Sequence, residues 1–178
     1  MGDAVIKFVH AADMHIDSPM LGLERYADAP VDELRGATRR ALDNLVRLAV
    51  EEEAAFVVIA GDLFDREWRD YNTGLYFHGR MVDLGRHGIR VFLVNGNHDA
   101  ESEIGRSLRL PDNVHRFSVR HPETRRLDDL GVAVHGQGYA RAATAEDLSL
   151  GYPAPVPGFV NVGLLHTSAG GRAGHADY

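Results

Sequence analysis

Apolar and polar positions fall into two patterns along the chain. From Val5 to Val9 the residues are apolar and rich in β-branched side chains, with Lys7 the only charge, and they predict a short strand. Near Pro30 the period changes. Leu34, Thr38, Ala41, Leu42, Leu45, Leu48 and Ala49 share one face at helical spacing, while Arg39, Arg40, Asp43 and Arg47 take the other. A helix is expected to start close to the proline, which the first turn tolerates, and to fray at Glu51-Glu52-Glu53, where negative charge meets a helix C-terminus. "FVVIA", Phe56 to Ala60, is an unbroken apolar run of strand length, the pattern of a strand covered on both faces. A second helix is predicted from about Asp70 to His87, with Tyr71, Leu75, His78 and Val82 on one side and Gly88 ending it; Gly74 and Gly79 weaken its propensity. Arg90 to Val94 is the next buried strand. This order of strand, helix, strand, helix, strand predicts a parallel sheet with right-handed crossovers. Beyond it, "NVHRFSV", "RRLDD", "VAVHGQGY" and "FVNVGLLH" are shorter, more alternating runs, and "GYPAPVPG" is a connection too short to link domains.

At 178 residues the chain suits one domain with a real core, and its balance of 44% hydrophobic to 25% charged residues is that of a globular protein. It has no cysteine, which excludes disulfides and thiolate metal sites. The N-terminal apolar run is short and interrupted by Lys7 and His10, unlike a signal peptide or a membrane span, and "MGDAVI" lacks the Ser or Thr of a myristoylation site. A cytoplasmic protein without membrane contact is expected. The formal charge of −7 argues against holding nucleic acid by bulk electrostatics. Ten histidines are many for this length, and two divalent cations among carboxylates would reverse the charge locally.

In open α/β sheets, ligands bind beyond the carboxyl ends of the strands. Asp13 and His15 follow the first strand, Asp62 and Asp65 the second, Asn97, His98 and Asp99 the third, and His166 the last. Each group alone is commonplace: Asp65 reads as a turn cap and His166 as a hydrogen-bonded strand end. Their succession at four strand ends, in order, points to a shared site. Oxygen and imidazole donors without sulfur suit manganese, iron(II) or zinc. Asp62, released from its strand by Gly61, is the candidate to bridge two cations about 3.5–4 Å apart.

Asp13-x-His15, Gly61-Asp62-x-x-Asp65, Gly96-Asn97-His98-Asp99 and His166 resemble the ordered motifs of the calcineurin-like metallophosphoesterases, over nearly the whole chain from His10 to Tyr178. The flanking "HAADMHIDSP", "GDLFDR" and "LLHTSAGGRAGHADY" resemble the DNA repair exonuclease branch of SbcD and YhaO type. The resemblance implies an α/β, four-layer sandwich of two mixed sheets flanked by helices. It implies one metal on Asp13, His15 and Asp62 and a second on Asp62, Asn97 and His166, with manganese favoured over iron(II) or zinc. It gives His98 the part of acid and Asp99 that of orienting His98 and raising its pKa. DNA, an SbcC-like ATPase subunit and a homodimer contact through the second helix are the partners it implies.

The family pattern ends in Gly-His-x-His, which supplies one more histidine to each metal, and no such motif follows His166. His175 in "AGHADY" reads as part of a loop, and His10 and His135 as structural residues at strand ends. The expectation is therefore a single domain over 1–178, incomplete at its C-terminus, with its last strands missing and an open sheet edge favouring self-association. Such a chain is expected to bind metal weakly and to hydrolyse DNA poorly or not at all. Two other functions fit the motifs: a phosphoesterase for nucleotides or small phosphate esters, and a non-catalytic scaffold.

Overall fold

The computed structural model describes residues 5–18, 31–65, 70–102, 108–144 and 146–167. His175 lies outside them. The elements are β1 (Phe8–Ala11), α1 (Val31–Glu51), β2 (Phe56–Ala60), α2 (Tyr71–Arg86), β3 (Arg90–Val94), α3 (Asn97–Glu101), β4 (Val114–Arg116), β5 (Glu123–Leu127), β6 (Val132–Gly136) and β7 (Val160–Leu164). The first four strands pair in the order β1-β2-β3-β4, all parallel. The last three form a second sheet, β5-β6-β7, antiparallel at β5/β6 and parallel at β6/β7. The expected α/β fold of two packed sheets with helices is therefore present. The first sheet is wholly parallel, and only the second is mixed.

β2 shows why the layers stack. Its side chains alternate between faces, and all five are buried. Val57 and Ile59 join Leu42, Val46 and Ala49 of α1 and Phe77, Met81 and Leu84 of α2 in one apolar cluster. Phe56, Val58 and Ala60 face the other way and meet Phe92, Val94 and Phe117, and from the second sheet Leu127, Val132, Val134 and Leu164. Helices, first sheet and second sheet thus form successive layers, and both long helices lie on the first sheet. Among the described residues no helix is long and apolar enough to cross a membrane.

α2 starts and stops as expected. The Asp70 carboxylate accepts from the Asn72 amide as N-cap, and Gly88 beyond the end has φ +74°. Its buried face is a correction. Thr73, Gly74, Phe77, Met81 and Leu84 are buried, whereas Tyr71 and Leu75 are each 67% exposed. Two apolar stripes share this helix at compatible spacing, and the sheet receives the one carrying Phe77, Met81 and Leu84. In α1, Leu48 is likewise exposed while Val46 packs inward. α1 remains helical to Glu51, and the chain turns with Glu53 at φ +52°. His135 is structural, as expected: Nδ1 lies 2.8 Å from Thr124 Oγ1 and Nε2 2.9 Å from Asn161 Oδ1, linking all three strands of the second sheet.

Candidate metal centre

Parallel pairing places the exits of β1, β2 and β3 side by side. Past the strands the pairing continues between loops: the amides of Asp13, His15 and Ile16 donate to the carbonyls of Gly61, Asp62 and Leu63 at 3.0–3.1 Å. The two loops that carry the candidate ligands are thereby laced together. Asp13, His15 and Asp62 all have left-handed backbone, with φ of +52°, +41° and +54°. Non-glycine residues adopt this region infrequently, and such outliers cluster at functional sites. Left-handed residues alternate here with ordinary ones, so both side chains of the Asp-x-His pair turn toward β2's exit.

Asp62 is the centre of the arrangement. Its Oδ2 lies 3.8 Å from Nε2 of His15 and 3.6 Å from Nε2 of His166, and its Oδ1 accepts from the His98 amide at 3.0 Å. Asp13, Asp62 and His166 bring three ligand atoms within 4.8 Å of one another, and His15, Asp65 and His98 do the same beside them. The room for Asp62 depends on two glycines. A Cβ on Gly96 would stand 2.2 Å from Asp62 Oδ1, and one on Gly61, at φ +84°, would stand 2.7 Å from His166 Nδ1.

The two histidines are oriented by their far nitrogens. His166 Nδ1 lies 2.8 Å from the Ala60 carbonyl, which can only accept, so Nδ1 carries the proton. In the neutral ring Nε2 is then an acceptor, and it lies 2.9 Å from the Asn97 side-chain amide. His15 Nδ1 lies 2.6 Å from Asp65 Oδ1, leaving Nε2 to face Asp62. The bond to Asp65 raises the His15 pKa, against the opposing effect of burial. The bond to His15, helped by Ser18, holds the Asp65 carboxyl down at about 2. A carboxylate behind a ligating imidazole is a recurrent way to fix tautomer and direction.

The candidate residues are therefore gathered in one place: Asp13, His15, Asp62, Asn97, His98 and His166. The part expected of Asp99 is the exception. Its carboxylate accepts from the amides of Leu63 (3.0 and 3.2 Å), Phe64 (3.0 Å) and Gly96 (2.9 Å). As the third residue of α3 it reaches back to that helix's own start, and from there across to β2's exit. Burial pushes its carboxyl pKa up, while the three amides favour the anion. The carboxylate beside His98 is Asp65, with Oδ1 3.2 Å from His98 Nδ1 but without the alignment of a hydrogen bond. The second aspartate of "GDLFD", readable as a turn cap, thus has a place in the centre, and its three-residue offset from Asp62 was the available signal.

A further network supports β1's exit. Asp17, left-handed at φ +56°, accepts from Arg39 Nε at 2.8 and 3.0 Å and from Thr73 Oγ1, tying the loop of Asp13 and His15 to α1 and α2. Arg39 lies with its guanidinium 4.7 Å from the Tyr76 ring centroid. Spacing assigned Arg39 to the polar face of α1 but offered nothing to pair it with Asp17.

Comparison with known proteins adds an independent finding. Residues 6–157 match the family profile described as calcineurin-like phosphoesterase. The chain is 30% identical over 176 residues to the uncharacterized metallophosphoesterase YhaO of Bacillus subtilis, covering 97% of this chain and 43% of that protein. It is 37% identical over 97 residues to the DNA double-strand break repair protein Mre11 of Archaeoglobus fulgidus, covering 54% of this chain and 20% of the relative. A crystal structure of a dimetal phosphatase from Danio rerio superimposes with a TM-score of 0.44 at 16% identity, over 76% of this chain and 44% of the other. The chain spans less than half the length of each of these proteins. With the match extending over most of its length and the oxygen and imidazole donors gathered at the strand ends, the chain belongs to the calcineurin-like phosphoesterase family, whose members hydrolyse phosphoesters with divalent metals.

Proposed function

We propose that this chain forms the metal-binding part of a phosphodiesterase acting on DNA. The observation that carries the metal assignment is the position of Asp62 Oδ2 between His15 Nε2 and His166 Nε2, at 3.8 and 3.6 Å. Asp13, His15 and Asp62 would hold one divalent cation, and Asp62, Asn97 and His166 the other, with manganese preferred over iron(II) or zinc for this donor set. When bound, the pair would supply Lewis-acid activation of the phosphoester and of the attacking water.

The rest of the chemistry belongs to side chains. His98 stands beside His15, ring centroids 5.1 Å apart, with a third of its side chain exposed. It can deliver a proton to the leaving oxygen from the substrate side of the centre. Asp65 holds His15 by its far nitrogen and faces His98 Nδ1, so one carboxylate serves both imidazoles. Asp99 acts at one remove, by locking β3's exit to β2's exit through three amides.

The choice of DNA rests on the relatives named for double-strand break repair and on the flanking motifs. An SbcC-like ATPase subunit and a second copy docked through α2 are the partners that accompany this reading. The net charge of −7 favours the competing substrate, a nucleotide or small phosphate ester. Manganese calorimetry on the chain and on Asp62→Ala tests the centre: two ions bound by the first and none by the second are expected, and equal binding would remove the assignment. Turnover of a duplex end against a cyclic nucleotide, each with His98→Ala alongside, separates the substrates. A function surviving His98→Ala at full strength would belong to a scaffold.

A further inference from the structure

Beside the metal centre, on the same end of the sheets, lies an open cleft of about 520 Å³ that the chemistry above does not use. One wall is the exit of β4, with Val119 and Arg120, and the other is formed after β6 by residues within 137–144 and by Glu146 and Leu148. The Gly138 amide donates to Ser118 O at 3.0 Å and the Tyr139 amide to Asn95 O at 2.9 Å, which fastens this loop to the exits of β4 and β3. Gly138 is needed for that approach, since a Cβ there would stand 2.7 Å from the Asn95 nitrogen. Tyr139 then packs edge-on against His166, ring centroids 5.7 Å apart. Tyr139, next to Gly138 of the cleft wall, is thus in contact with a candidate ligand.

The cleft brings two cationic side chains together. Arg39, Arg47, Arg80, Arg86, Arg90 and Arg126 each pair with an aspartate or glutamate. Arg120 and Arg141 are exposed, line the cleft from opposite walls, and have no ion-pair partner among the described residues. In a chain carrying 26 acidic against 19 basic residues, two unneutralised guanidinium groups facing one cleft mark a place for anions. Gln137 and Thr144 add neutral polar groups, and Glu146 is the single carboxylate of the lining among the described residues. Among the described residues no aromatic side chain lines the cleft, so they offer no face on which to stack a base.

We propose that this cleft holds the sugar-phosphate backbone of a single DNA strand next to the bond being cleaved, with Arg120 and Arg141 contacting successive phosphates. Arginines without an aromatic platform read charge and spacing, so binding here is independent of base sequence. Glu146 opposes the strand and limits its affinity. The proposal rests on the reading of the metal centre as a phosphodiesterase, and it specifies where that centre's polymer lies.

The test measures anisotropy of a fluorescein-labelled single-stranded oligodeoxynucleotide with metal chelated, over a range of salt, using the protein and its Arg120→Gln/Arg141→Gln and Glu146→Gln variants. The double variant is expected to lose roughly tenfold in affinity and to flatten the salt dependence by about 1.4 in log–log slope, at ~0.7 for each single-strand phosphate contact. Glu146→Gln is expected to bind more tightly than the parent. Unchanged affinity and slope in the double variant, or no binding by the parent, would overturn the cleft. Manganese binding by the unaltered protein, read by calorimetry, reports on the metal centre alone, so loss of that reading is seen separately from loss of the cleft.

Discussion

Nδ1 of His15 and Oδ1 of Asp65 meet at 2.6 Å although 50 residues separate them in the chain. The contact forms because β1 and β2 are parallel neighbours whose exit loops stay paired beyond the sheet. It decides which nitrogen of His15 faces Asp62, and it gives Asp65 a place in the centre.

Asp65→Asn should therefore weaken metal binding through the imidazole that Asp65 holds. The amide keeps a side chain of the same shape but loses the charge that fixes the imidazole. Manganese affinity is expected to fall about 10- to 100-fold, the range for an outer partner of a ligating histidine. Calorimetry at neutral pH reads it, and an affinity equal to the parent's would make the contact incidental.

The same pair sets a pH window for metal-free stability. Asp65 is lowered from 3.8 to about 2, so its contribution is present above 3.8 and is lost as pH falls toward 2. His15 is raised above 6.5, so its contribution is full below 6.5 and is lost as pH rises through the raised value. The difference in urea midpoint between the protein and Asp65→Asn, both in chelator, should be greatest between pH 3.8 and 6.5. A difference constant from acid to alkaline pH would show that the two groups do not titrate as a pair.

Asp99→Ala removes the acceptor of three amides at once. A buried donor left unsatisfied costs about 1–3 kcal/mol, and the loops can relax only partly, so a loss of about 3 kcal/mol or more is expected. Urea denaturation in chelator measures it. A loss below about 1 kcal/mol would return Asp99 to the role of a partner for His98.

Two glycine-to-alanine changes should act in opposite directions. Gly96→Ala forces a methyl group to within 2.2 Å of Asp62 Oδ1 and should abolish metal binding. Gly79→Ala, inside α2 with nothing within 4 Å of the added carbon, should raise stability by ~0.5–1 kcal/mol through helix propensity. Thermal melts and calorimetry on both variants give the comparison.

Tyr152 joins the exits of β6 and β7: its hydroxyl donates to Leu164 O at 2.6 Å and accepts from the Gln137 amide at 3.1 Å. Burial pushes its pKa up to about 12. Tyr152→Phe should cost roughly 1–3 kcal/mol. It should also remove one tyrosinate from the late step of an ultraviolet absorbance titration, while loss of signal near pH 10 instead would contradict the buried position.

Much of the architecture can be read from local pattern because strands and helices are written in short periods. β2, β3 and both long helices follow directly from runs of apolar residues, and the polar residues that stop each strand announce where a site must lie. The parallel order of the first sheet follows from alternating strands and helices. α2 marks the limit of this reading, because it carries two stripes of compatible spacing and only packing against α1 and the sheet selects Phe77, Met81 and Leu84.

What each polar residue does was decided at longer range. Sequence brought Asn97, His98 and Asp99 to one strand end, but a carboxylate's partners depend on where the neighbouring loop passes. Asp99 turns to the amides of Leu63 and Phe64, and Asp65 comes to His15 and His98. Left-handed backbone at Asp13, His15, Asp17 and Asp62 aims those side chains, and its cost is offset by pairing between loops from distant parts of the chain. The residue types and their order determined that there is a site for divalent metal chemistry. Which carboxylate faces which imidazole, and which nitrogen faces Asp62, were determined by tertiary structure, because hydrogen bonds are directional and these partners meet only when the sheets have closed.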